Sequence, residues 1–383
     1  MLKSKKKIAF VVTIPEMAYN FLWDHIIQLQ KGYEVHLIAN FHNKYIEDKF
    51  NEIDVICHQE DIQRKIKLKK DIQSIISFTK LYKREKFVSV HSIAPKAGLI
   101  NTIAGWIAGV PVRIHIFTGQ VWATKKGPVR LLLKLMDKLI VWFSTDILVD
   151  GFSQQKYLIE QGVLNRRNSK VLAKGSIAGV PLNRFVIDGQ VRMEERKKIN
   201  ASNNDVVFVF MGRLNHDKGI GELFQAFDML VAECPNVRLV LYGHDEDNYD
   251  KKADDYENIK RNVNYFYQGR TEVPYNSLQG GDVFVLPSWR EGFGSSVIEA
   301  SCLGLAAITT DIYGVCDATV EGVTALRCKV NDPADLFECM KMYCDNPDMI
   351  KEHGKNGRKF VEETYDNEIV TNAWVEFYHK LIG

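Results

Sequence analysis

The sequence predicts two doubly wound α/β domains in tandem. Three observations carry that prediction. Short β-branched and apolar runs alternate with helix-length segments throughout the chain. The runs are apolar at successive positions, as strands covered by helices on both faces must be. The alternation restarts near Asp205, and 383 residues are too many for one ordinary core.

In order, the first-half strands are KIAFVVTI, YEVHLIA, IDVICH, FVSVHSI, VRIHIF, TDILVD and KVLAKG. The second half supplies DVVFVFMGR, VRLVLYG, VNYFYQG, GDVFVLPS, LAAITTD and GVTALRC. Helical patterns fill most gaps between them. The charged, helix-like DGQVRMEERKKIN precedes the restart and places the domain boundary near residue 186. The expected division is therefore residues 1–185, residues 186–365, and a C-terminal helix over 366–383. Two open sheets in tandem would bring their strand C-terminal edges around a shared cleft, where ligands bind such sheets.

Composition sets limits. Hydrophobic residues make up 46% and charged residues 26% of the chain, as in a soluble globular protein. No run reaches the roughly 18 apolar residues of a membrane span. The basic start MLKSKKK leads into a short apolar run with no A-x-A-like site, and reads as a first strand and not a leader. Seven scattered cysteines without a C-x-x-C read as reduced thiols of a cytosolic protein. The net charge of +2 conceals a polarity. Residues 1–185 hold 29 lysines and arginines against 15 acids; residues 186–383 hold 21 against 33. This is either drift between two solvated surfaces or a first half that faces something anionic.

Two stretches carry chemistry. In LPSWREGFGSSVIEASCLG a strand gives way to a turn and then to a helix starting near Ser295. Free amides at such a helix start form an anion site. Glu291 lies on the turn and Glu299 in the helix. Ser296-x-x-Glu299 also fits a capping box, in which Glu299 would only satisfy a backbone amide. In FVFMGRLNHDKGIGELFQAF, Arg213 and Lys218 share one strand-to-helix loop, with the helix starting near Ile220. Paired cations at a strand's carboxyl end suit a diphosphate and the charge that develops as it departs.

MGRLNHDKG followed by EGFGSSVIEASCLG resembles the donor-binding domain of glycosyltransferase family 4, retaining enzymes of the two-domain GT-B fold. HSIAPKAGLINTIAGWIAGVP is similar to the family's acceptor-domain stretch, GSIAGVPLNRF to its inter-domain passage, and TDIYGVCDATVEGVTAL to its late loop over the donor. The resemblance implies two Rossmann-like domains facing across a cleft, the C-terminal helix crossing back to the first. It implies that Arg213 and Lys218 hold a UDP-sugar's diphosphate, with backbone around Phe293, Gly294 and Ser295 at the distal phosphate. Glu299 would take the ribose hydroxyls, Glu291 those of the sugar, and Arg270 and Val273 the uracil. The catalytic set would be Glu291, Arg213 and Lys218, without protein nucleophile, cofactor or metal. The departing phosphate itself would take the incoming hydroxyl's proton.

Two departures mark the first half. The turn after its first strand, TIPEMAYNF, lacks the glycines of many relatives. In RIHIFTGQVWATKKG, the position of a frequent cleft histidine falls on Thr118, followed by Gly119. His115 lies nearby, but a lone strand histidine is more often core. The acceptor-side candidates are thus Thr13, His115, Thr118 and Gly119. Asp245-x-Asp247 could hold a metal in another fold, but is not needed here. FTGQVWATKKG further resembles transferases that extend undecaprenyl-diphosphate sugars in O-antigen, capsule or glycoprotein glycan assembly.

Lys126, Arg130, Lys134 and Lys138 recur every fourth residue in KKGPVRLLLKLMDKLIVWF, with leucines over much of the remainder. This is either a core helix with a solvated cationic stripe or an interfacial helix. DIQRKIKLKKDIQ adds a second basic patch. The expected setting is cytoplasmic, with the first domain on the anionic inner face of the membrane and a lipid-linked saccharide as acceptor. The preferred donor is a UDP-N-acetylhexosamine. No nucleic-acid motif is visible. A nucleotide-sugar 2-epimerase and a non-catalytic nucleotide-sugar-binding module are the alternatives. A dinucleotide oxidoreductase lacks its G-x-G-x-x-G.

Overall fold

A computed structural model describes residues 5–63, 67–252 and 264–383. The chain forms two units, Gly179–Asp366 and a first unit that runs to Ala178 and takes back Asn367–Gly383.

The first unit holds seven strands: β1 (Lys6–Val11), β2 (Tyr33–Ala39), β3 (Ile56–Gln59), β4 (Ser89–Ile93), β5 (Val112–Phe117), β6 (Asp146–Val149) and β7 (Ser169–Lys170). All pair in parallel, in the order β3-β2-β1-β4-β5-β6-β7. β1 is an interior strand, and Phe10 pairs with Leu37 on one side and His91 on the other. Its buried residues feed two different core clusters, Phe10 one and Val11 the other, as expected of a strand covered on both faces.

The C-terminal helix Asn367–Ile382 completes this unit. The Trp374 ring stacks on His25 at 4.5 Å and on His91 at 5.0 Å. Thr371 Oγ1 meets His25 Nδ1 at 2.8 Å, and Tyr378 hydroxyl meets His91 Nδ1 at 2.9 Å. Loss of water pushes His25 down to about 4 and His91 well below its usual range, so both rings are held neutral.

The second unit holds β8 (Val206–Met211), β9 (Val237–Tyr242), β10 (Tyr265–Gly269), β11 (Val283–Leu286), β12 (Ala306–Thr310) and β13 (Ala325–Cys328). These are parallel in the order β10-β9-β8-β11-β12-β13. The chain enters this unit at Gly179, not near residue 186. Val180 N donates to Tyr365 O at 2.8 Å, and Val180 and Phe185 are buried in this unit's core. Asp188 then caps the helix Gly189–Lys198, accepting from Gln190 N at 2.8 Å.

The helix Gly127–Phe143 is not the core-packed helix that the pattern also allows. Only Asp137 and Ile140 are buried in it. Val129, Leu131, Leu132, Leu135, Leu139 and Trp142 are exposed, Trp142 by 81%. Trp106, from the preceding helix Pro95–Ala108, is also exposed and packs on Phe143 at the end of this helix, at 5.3 Å. Of the second basic patch, residues 64–66 lie outside the described residues. No helix among the described residues is long and apolar enough to cross a membrane.

Candidate active site

Parallel strands send all their outgoing loops from one sheet edge. In the second unit the loops after β8 and β11 leave as neighbours. Gly212 closes β8; Arg213 follows; and the turn His216–Lys218 is capped by Asn215, which accepts from Lys218 N at 3.2 Å. Gly219 (φ +70°) starts the helix Ile220–Glu233, and a Cβ there would collide with the Pro287 carbonyl. Glycine is therefore required, on both conformational and steric grounds.

The two loops are laced together. Trp289 N donates to Asp217 O at 2.9 Å, and Arg290 grips the Asp217 carboxylate at 2.8 and 3.0 Å. The rings of His216 and Trp289 meet edge to face at 4.6 Å. Thr310, at the end of β12, donates to Ser288 O at 2.5 Å. A Cβ at Gly314 (φ +86°) would stand 2.5 Å from Gly292 O, so the loop after β12 rests directly on this turn.

On this platform the Lys218 ammonium and the Glu291 carboxylate form an ion pair, both side chains mostly shielded. Ser288 Oγ donates to the same Glu291 oxygen at 2.7 Å. Arg213 Nη1 lies 3.0 Å from each oxygen of Glu246, and Asn215 Nδ2 donates to that carboxylate at 2.7 Å. Arg213 is half exposed. Two cations thus stand on one loop, each steadied by an acid from a neighbouring loop.

The helix Ser295–Cys302 begins beside them, with Gly294 (φ +83°) as its cap and no side chain capping it. The capping-box reading of Ser296 and Glu299 therefore fails. Phe293 is buried against Tyr365 at 5.1 Å and fixes the turn. Glu299 is half-buried, and loss of water pushes its carboxyl up to about 7. Arg270 and Val273 follow β10, two strands from β8 and so about 10 Å across the sheet. Val273 N donates to Thr271 Oγ1 at 3.1 Å, and its side chain is exposed.

Sequence reasoning missed Ser288, Asn215 and Glu246. Glu246 sits between the two aspartates weighed as metal ligands, and those have other work. Asp245 accepts from Tyr249 N and Asp250 N, both at 2.9 Å, and Asp247 accepts from His216 N at 3.1 Å. No cluster of metal-ligating side chains occurs among the described residues.

In the first unit, Thr13 follows β1 and is buried. Thr118, half-buried, and Gly119 (φ +116°) follow β5, two strands away on the same edge. His115 is a correction to the acceptor-side candidates. It is fully buried, bonded to Ser92 Oγ at 3.1 Å and edge-on to Phe117 at 4.7 Å. Burial pushes it down to about 3, as for a core histidine.

The family description "Glycosyl transferases group 1" matches residues 191–360, the stretch that builds this edge. Over 353 residues the chain is 31% identical to the capsular polysaccharide biosynthesis glycosyltransferase CapM of Staphylococcus aureus, covering 92% of this chain and 91% of that one. The chain belongs to the group 1 glycosyltransferases. This glycosyltransferase is also 29% identical over 255 residues to the Escherichia coli UDP-Gal:alpha-D-GlcNAc-diphosphoundecaprenol alpha-1,3-galactosyltransferase, covering 66% of this chain and 65% of that one. In fold it is similar to Anabaena HepE, solved in complex with UDP and glucose. The TM-score is 0.80 at 15% identity, over 98% of this chain and 99% of that one. The group 1 glycosyltransferase described here thus has the expected GT-B fold, two parallel-sheet α/β domains with a helical C-terminus.

Proposed function

We propose that this glycosyltransferase moves a sugar, by preference an N-acetylhexosamine, from UDP to a hydroxyl of an undecaprenyl-diphosphate-linked saccharide during bacterial capsule or related surface-glycan assembly. The single observation that carries the reading is the gathering of Arg213, Lys218, Glu291 and Glu299 at one sheet edge beside the start of the helix Ser295–Cys302. The names of the Staphylococcus and Escherichia relatives support the pathway and acceptor class, and the HepE complex supports UDP.

Lys218 and Arg213 would hold the diphosphate, with backbone amides around Phe293, Gly294 and Ser295 at its distal phosphate. Glu299 would accept the ribose hydroxyls and Glu291 those of the sugar. Arg270 and Val273 would border the uracil. As the sugar C1–O bond breaks, the departing phosphate oxygen takes the proton of the acceptor hydroxyl. That hydroxyl's oxygen closes the new bond on the same face, so configuration is retained. The two cations neutralise the leaving diphosphate, which makes a metal unnecessary. The first unit would hold the acceptor near Thr13, Thr118 and Gly119. The exposed leucines and basic flank of Gly127–Phe143 would rest on the inner, anionic membrane surface.

The test offers a panel of radiolabelled UDP-sugars with synthetic undecaprenyl-diphosphate saccharides. Label passing into lipid from one donor is the expected result. Turnover of UDP-N-acetylhexosamine without any acceptor would favour a 2-epimerase, and tight binding without turnover a non-catalytic module.

A further inference from the structure

The helix Gly127–Phe143 exposes leucines and buries an aspartate, an inversion that stability alone does not require. Asp137 is 2% exposed, and its Oδ2 accepts the Nε1–H of Trp122 at 2.7 Å. Loss of water pushes its carboxyl up to about 7. A buried carboxyl is costly, whereas a leucine would pack there without that cost. Trp122 is 1% exposed and lies in the short turn Val121–Thr124, just beyond Thr118 and Gly119. Its ring stacks on Tyr157 at 5.6 Å. Arg130 and Lys134 of the same helix stand over that ring at 5.3 and 5.7 Å. Arg130 Nη1 also lies 3.4 Å from Ala123 O. One buried hydrogen bond, two cation–π contacts and this backbone contact therefore tie the segment leaving β5 to the helix.

We infer that Asp137 is a positioning residue for the acceptor: through Trp122 it holds residues 118–124 in fixed register with the outward leucine face of its helix. This rests on the reading that the face meets the bilayer and the segment meets the acceptor. A lipid-linked acceptor is tethered to a surface, so its reacting hydroxyl stands at a set height above that surface. A strut between the surface-facing helix and the acceptor segment matches the protein to that height. Displacement by about 1 Å can cost on the order of 100-fold in rate.

The experiment compares wild type with Asp137→Leu, Asp137→Asn and Trp122→Phe. Each is assayed on a vesicle-embedded undecaprenyl-diphosphate saccharide and on a short-chain, water-soluble analogue. Loss of the bond in Asp137→Leu and Trp122→Phe is expected to lower kcat/KM about 10-fold on the embedded acceptor and less than about 3-fold on the soluble one, with UDP affinity unchanged. Asp137→Asn keeps an oxygen for the Trp122 N–H and is expected to stay within about 2-fold of wild type. Equal losses on both acceptors, or none on either, would overturn the inference. Amide hydrogen exchange over 118–124 needs no substrate. It should quicken in Asp137→Leu and Trp122→Phe, and unchanged exchange would remove the strut whatever the acceptor proves to be.

Discussion

The two sheet edges of this glycosyltransferase are built in different ways. The second unit's edge is dense with charge that is already organised. Lys218 sits on Glu291, Arg213 on Glu246, and Arg290 on Asp217 across the two main loops. The first unit's edge offers Thr13, Thr118 and Gly119, and its nearest histidine faces the core. The difference is what the two ligands proposed above would require. A diphosphate is small and strongly charged, and fixed counter-charges recognise it without reorganisation. A glycan on a lipid is large and nearly neutral at its reacting end. Shape, backbone groups and the surface that delivers it can recognise it with few ionic side chains.

Removing the central cation should separate the two edges most sharply. Lys218→Ala is expected to lower transfer by about 100-fold or more, with a folded protein whose thermal midpoint falls somewhat because Glu291 loses its shielded partner, and with vesicle binding unchanged. Near-normal rates would detach the second edge from the chemistry. Arg213→Ala, at a half-exposed position, is expected to cost about 10-fold, mostly in donor KM. On the other side, Leu135→Glu with Trp142→Glu should abolish co-sedimentation with anionic vesicles while leaving UDP affinity intact. Retained sedimentation would assign the apolar helix face to some other occupant.

How much of this was legible in the sequence differs between the edges for physical reasons. The strands were readable because both faces of each sheet are covered, which leaves continuous apolar runs such as VVFVFM. The positions of Arg213, Lys218 and Glu291 on the sheet edge were readable because loop and turn residues at fixed offsets from a strand end can be placed without tertiary knowledge, and that of Glu299 because it lies in the helix that follows the same turn; their roles are those proposed above. His115 was not. On a strand buried on both faces, alternation does not say which side points to a substrate. The helix Gly127–Phe143 was ambiguous because lysines and leucines interleave around it, and only the neighbouring elements decide which face is covered. The boundary was set too late because Val180 and Phe185 lie in a short irregular stretch that reads as linker, although both pack in the second core. Glu246 was hidden between two aspartates whose spacing suggested a metal.

Two pH dependences sharpen the contrast further. Glu299 in the second unit has its carboxyl pushed up to about 7, above the ordinary value of 4.5. If it accepts ribose hydroxyls, UDP affinity should strengthen as pH rises through 7, and Glu299→Gln should flatten that profile. The same shift makes the unliganded protein less stable as pH rises from 4.5 through 7, because the folded state holds the proton longer. The first unit behaves oppositely. His25 is pushed from 6.5 down to about 4, so the contribution of the C-terminal helix lock is full above pH 6.5 and is lost as pH falls towards 4. This acid-side loss is on the order of 3 kcal/mol when complete, about the size of the Glu299 effect and opposite in sign. Unfolding midpoints at pH 7, 6 and 5, taken in the Glu299→Gln background to remove the opposing effect and read with Thr371→Val as a weakened lock, would check it.

The most direct measurement of the central claim is a crystal structure of the protein with UDP. The expected result is a diphosphate within hydrogen-bond reach of the Lys218 ammonium and the Arg213 guanidinium, its distal phosphate against the amides around Gly294 and Ser295, and its ribose on Glu299. UDP bound away from the β8 and β11 loops, or with Lys218 and Arg213 turned from it into solvent, would contradict it.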